Sequence, residues 1–63
     1  MITFILIHRG QVSRPLHGAA EAAAEWVTKP ASTIRTVAEN GAWNHPTVDQ
    51  ISEVYAAAKQ AQR

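Results

Sequence analysis

The first apolar run, residues 2–8, is rich in β-branched and aromatic side chains. In a strand, Ile2, Phe4 and Leu6 fall on one face and Thr3, Ile5 and Ile7 on the other. Both faces are nearly apolar, so such a strand needs cover on both sides. A short buried helix is the competing reading of so brief a run. Gly10-Gln11 breaks the pattern. Residues 12–16 can return as a second strand, which Pro15 restricts to an edge. The period then changes. Residues 18–28 are alanine-rich, and Ala19, Ala20, Ala23, Trp26 and Val27 line one side of a helix whose other side carries Glu21 and Glu25. Lys29-Pro30 ends this helix, because the residue before a proline is pushed out of the helical region. A second helix is predicted over 31–39, capped by Thr28 or Ser32, with Ala31, Ile34, Val37 and Ala38 as its stripe and Asn40-Gly41 as its stop. Thr47-Val48-Asp49-Gln50 fits a capping box. It opens a third helix over 48–60, with Val48, Ile51, Val54, Tyr55 and Ala58 at helical spacing.

These elements predict a mainly α fold with a short N-terminal β segment. The chain, 1–63, reads as one small domain: a strand or hairpin-like arm over 1–16, then a three-helix unit over 18–60. A lone strand near the start would expose unpaired N–H and C=O groups. A second copy of the chain would cover that edge in a homodimer, or the return strand over 12–16 would cover it within the chain. A 63-residue chain buries only about 60% of its unfolded surface, so self-association is also a common source of added stability.

Composition narrows the chemistry. There is no cysteine, which removes disulfides and thiolate metal sites. His8, His17 and His45 are scattered and match no metal-ligand spacing, so no metal or cofactor is expected. No catalytic triad pattern or carboxylate pair is present, and the expected role is non-enzymatic. The net charge is +1, too small by itself to indicate nucleic acid. The opening apolar run lacks a basic flank and is far shorter than the roughly 20 residues that span a bilayer. A cytoplasmic protein without a membrane segment is expected.

Two short helices across a tight connector, followed by a third, form a helix-turn-helix layout. Residues 19–55 resemble the phage-repressor type of helix-turn-helix regulator, the Cro-like and Xre-like proteins. Ala19-Ala20-Glu21-Ala22-Ala23-Ala24-Glu25-Trp26 stands as the first helix of the motif. Pro30-Ala31-Ser32-Thr33-Ile34-Arg35-Thr36-Val37 stands as the recognition helix. Glu39-Asn40-Gly41, Pro46-Thr47 and the helix with Ile51 and Tyr55 stand as the following segment. Thr28 and Lys29 occupy the turn where the family usually has glycine and a buried aliphatic residue, and Ala38 is an extra residue.

The resemblance implies a small DNA-binding transcriptional regulator of a phage or other mobile element, acting as a dimer on double-stranded DNA. Lys29, Ser32, Thr33, Arg35 and Thr36 would then face the groove and the phosphates. The alternative is a protein-binding inhibitor or adaptor that blocks a larger host or phage protein, an anti-defence protein for example. Phe4, Leu6 and Trp43 are its candidate contact residues.

Overall fold

A computed structural model describes residues 2–61. β1 (Thr3–His8) turns through Arg9-Gly10 into β2 (Gln11–Val12), and β3 (Leu16–His17) continues along the same side of β1. Arg9 and Gly10 both have positive φ, 53° and 80°, the signature of a two-residue type I′ hairpin turn. Helix α1 (Ala19–Thr28) then crosses to β4 (Thr33–Val37), which pairs with the other side of β1. A hairpin leads to β5 (Trp43–Asn44), and α2 (Val48–Ala61) follows. All pairings are antiparallel, and β1 is interior with partners on both sides.

Between β2 and β3 the register shifts by one residue: Ile7 pairs with Val12, but Phe4 pairs with Leu16. The extra residue makes a bulge over Ser13, Arg14 and Pro15. Leu6 N–H donates to the Ser13 hydroxyl at 2.9 Å, where a regular ladder would use a carbonyl. The bulge lies where Pro15 has no N–H to offer the ladder.

Both helices cover one face of the sheet. Phe4, Leu6, Leu16 and Ile34 point into it and meet Ala22, Ala23, Val54 and Ala58 in one core. Alanines at the helix contact allow close approach, while Trp26 stacks on Tyr55 with ring centroids 5.2 Å apart. The capping box forms as expected: Gln50 N–H donates to Thr47 Oγ1 at 3.1 Å, and Thr47 N–H donates to Gln50 Oε1 at 2.8 Å. Val48, expected on the inner stripe of α2, is exposed instead.

The three-helix, helix-turn-helix-like fold is corrected. The described residues form two helices on a five-stranded sheet, and the segment expected as a helix over 31–39 is β4 with its flanking turns. Four of the five β4 residues, Thr33, Ile34, Thr36 and Val37, are β-branched. Such side chains lose rotamer freedom in a helix and pack well on a pleated surface. Lys29-Pro30-Ala31-Ser32 closes as a β-turn, with Ser32 N–H on the Lys29 carbonyl and Ala31 at φ 68°. Asn40-Gly41 ends no helix. Gly41 N–H donates to the Ala38 carbonyl, and Gly41 takes φ 86° in a three-residue hairpin loop. A dimer through an exposed edge of β1 is corrected for the same reason: β2, β3 and β4 already occupy both edges within the chain.

Candidate functional site

Among the described residues, no element covers the face of the sheet away from the helices, the uncovered face. Strand pairing fixes its side chains in rows. Val12, Ile7 and Thr33 form one end, Ile5 and Arg35 the middle, and His17, Thr3, Val37 and Trp43 the other end. Ile5 is only 4% exposed although no helix reaches it, because it sits at the centre of the sheet. Trp43, 51% exposed, and Val12, 49% exposed, lie at opposite corners, with half-buried Ile7 and Val37 between them. No carboxylate lies in these rows. Thr3 Oγ1 and His17 Nδ1 are 3.4 Å apart on the surface of the same face.

A cleft of about 350 Å³ opens beside this face. Its origin lies in the β4–β5 ladder. Thr36 pairs with Asn44 and Val37 with Trp43, a register that would next set Ile34 opposite Pro46. Pro46 has no N–H to donate, so pairing stops and the β5–α2 connection swings away. Arg35 reaches round the edge instead, and its Nη1 donates to the Ile34 carbonyl at 2.8 Å. Trp26 from α1, Ile51 and Tyr55 from α2, and His45 and Pro46 complete the walls.

The residues expected to contact DNA do not form one surface, although Thr33 and Arg35 share the uncovered face and Ser32 and Arg35 both line the cleft. Lys29 ends α1 and lies 3.7 Å from Glu25 in an i, i+4 ion pair. Ser32 is buried; its hydroxyl donates to the Lys29 carbonyl and lies 3.3 Å from His8 Nδ1. Thr33 and Arg35 belong to the uncovered face. Thr36 points to the helix side of the sheet, with its hydroxyl 3.4 Å from the Asn44 carbonyl. Of the expected protein contacts, Phe4 and Leu6 are core residues, and only Trp43 lies at the surface. Ile5, Ile7 and Val37 hold the corresponding positions on the uncovered face. The alternation Thr3-Ile5-Ile7 was the signal for them, but two apolar faces gave no means of choosing between them.

Among the described residues, no three histidine, aspartate or glutamate side chains gather as metal ligands. No described helix is long and apolar enough to cross a membrane. Comparison with protein families, with curated proteins and with solved structures returned no match.

Proposed function

We propose that this protein is a small non-enzymatic binding module that takes a protein partner on the uncovered face of its sheet. The observation that carries this reading is the pair of exposed apolar ends, Val12 with Ile7 and Val37 with Trp43, on either side of the buried Ile5 and opposite the helical layer. Apolar surface of this kind gains free energy when removed from water, and a partly exposed tryptophan is a frequent energetic centre of an interface.

The charge on the face defines the partner. Arg35 lies among the apolar side chains without a carboxylate in the same rows. A partner with an apolar patch bordered by aspartate or glutamate is complementary. A second copy of this chain is not, since it brings the same arginine and no carboxylate to the face. A DNA-regulator reading has lost the recognition helix on which it rested, and Lys29 and Thr36 no longer share a surface with Arg35. We place the module in the cytoplasm, a reducing compartment suited to a chain without cysteine.

The test compares the wild type with Val37→Thr/Trp43→Ala. Proteins retained by the wild type from the producing cells are identified and titrated in purified form. Amide chemical-shift mapping follows the titration. The expected result is saturable binding that moves Ile7, Val37 and Trp43 and is lost in the double variant without loss of folding. Binding mapped to the helices instead overturns the reading. So does a wild-type dimer dispersed by the double substitution, or salt-sensitive affinity for duplex DNA in place of a protein.

A further inference from the structure

We propose that the cleft at the free edge of β4 is a binding site for an aromatic carboxylate. This goes beyond the protein-binding reading and does not depend on it: the cleft lies at the edge of the sheet, shares only Arg35 with the uncovered face, and takes Trp26, Ile51 and Tyr55 from the helices as part of its wall.

Three observations converge there. The first is an incomplete backbone edge. Leu6 uses its N–H and C=O on the β2 side, where it donates to Ser13 Oγ and accepts from Ser13 N–H. Its cross-strand neighbour Ile34 therefore turns its own N–H and C=O outward, away from β1. The carbonyl receives Arg35, and the N–H has no ladder partner, because pairing with β5 covers only Thr36 and Val37.

The second observation is a cation with spare donors. Arg35 is half-buried, forms no ion pair among the described residues, and uses one guanidinium N–H on the adjacent carbonyl. A guanidinium carries five donors in a fork that matches a carboxylate. His45 adds a ring nitrogen to the same wall, and no aspartate or glutamate lines the cleft. The site is therefore electrostatically suited to an anion and has no internal one.

The third is the wall itself. Trp26, Tyr55, Ile34 and Ile51 offer a wide apolar and aromatic surface. A bare inorganic anion would leave that surface wet, and a neutral aromatic ring would leave the guanidinium fork unused. A planar ring joined to a carboxylate satisfies both. Two sources share this chemistry: a free aromatic acid, and the C-terminal aromatic residue of a peptide.

The experiment uses the full chain carrying Trp43→Phe, which leaves Trp26 as the only tryptophan of the two in the sequence. Trp26 fluorescence and amide chemical shifts are followed against 3-phenylpropionate, 3-phenylpropionamide, phenyl phosphate, and a phenylalanine-ended peptide with free or amidated terminus. Acids are expected to bind saturably, to shift Ile34, Arg35 and Ile51, and to exceed their amides by about tenfold or more. Arg35→Gln should abolish that preference. Peptide binding at least tenfold tighter than the free acid assigns the peptide source, and equal binding assigns the small acid. Should Arg35→Gln not fold, Tyr55→Ala at a half-exposed position must weaken acid binding, and the acid-to-amide ratio in the parent chain still decides the matter. Equal binding of acid and amide, tighter binding of phenyl phosphate, no saturable binding, or shifts centred on Ile5 and Val37 would overturn the proposal.

Discussion

Leu6→Ala and Ile7→Ala form a pair that tests which face of β1 the helices cover. The two residues are adjacent, equal in carbon count and opposite in direction. Leu6 is 1% exposed and lies in the core with Phe4, Leu16 and Ile34, whereas Ile7 is half-buried on the uncovered face. Truncation to alanine removes three carbons in each case. At about 0.8 kcal/mol per buried methylene, Leu6 loses about 2.4 kcal/mol of transfer free energy. The cavity left under two helices raises this to about 3–4 kcal/mol. Ile7, with partial burial and no layer above it, should lose about 1 kcal/mol and leave no closed cavity. The gap of about 2–3 kcal/mol corresponds to a difference in Tm of about 8–24 °C for a chain of this size. Total stability is about 3–9 kcal/mol on a per-residue basis, so Leu6→Ala removes a large share of it. Urea unfolding followed by circular dichroism, with a common slope for all variants, measures both losses. An unfolded Leu6→Ala beside a folded Ile7→Ala gives the same ordering. Equal losses, or a larger loss at Ile7, would refute the two-layer argument, and repeating the melts across protein concentration would show whether a second copy supplies the missing layer.

Two local features give sharper, smaller effects. Thr47→Ala removes the hydroxyl that accepts from Gln50 N–H and should cost about 1 kcal/mol, read as a lower urea midpoint with unchanged slope. Gly41→Ala meets no atom within 4 Å but must hold a positive φ of 86°. Left-handed strain of about 1–2 kcal/mol, partly offset by a stiffer unfolded chain, leaves a loss of about 0.5–1 kcal/mol. Gly41→Asn should lose less, because asparagine tolerates that conformation, and thermal melts of both variants check the order.

The parts of the fold legible in the sequence were those whose signals were local. The alanine run over 19–28 and the Thr47–Gln50 capping box each had one satisfactory reading, and the β-branched start favoured a strand over the competing short helix. The segment at 33–37 had two. Ile34, Val37 and Ala38 match a helical stripe, while Thr33, Ile34, Thr36 and Val37 match a strand. The choice is made by β1, which needs a hydrogen-bonding partner on its second edge and finds it across the sheet. Asn40-Gly41 was ambiguous in the same way, since a left-handed glycine serves a helix end and a hairpin loop equally well. At the candidate site, Trp43 was recognisable as a surface aromatic, but its neighbours were not. Whether Phe4 and Leu6 or Ile5 and Ile7 face the helices depends on strand parity, which a run apolar on both faces does not encode. The cleft depends on Pro46 falling opposite Ile34, a relation that exists only once the β4–β5 register is known.

The interior position of β1 has a consequence for the chain before it is folded. Thr3-Phe4-Ile5-Leu6-Ile7 is uncharged, free of proline and glycine, and built of strand-forming residues, the composition from which cross-β fibrils grow. The type I′ turn at Arg9-Gly10 lets β2 pair with the Ile7 end of this segment within microseconds, and β3 follows along the same side at Thr3 and Phe4. The other side waits for β4, which must return from beyond α1, and such distant pairings form late. A nascent chain therefore passes through a stage in which its central strand offers one open edge to any neighbour. Once β4 docks, the hazard is enclosed. The outer boundary is then a strand broken at the Ser13–Pro15 bulge on one side and, on the other, a two-residue strand halted by Pro46 beside the short free edge of β4 at Ile34, none of which offers a long template for growth.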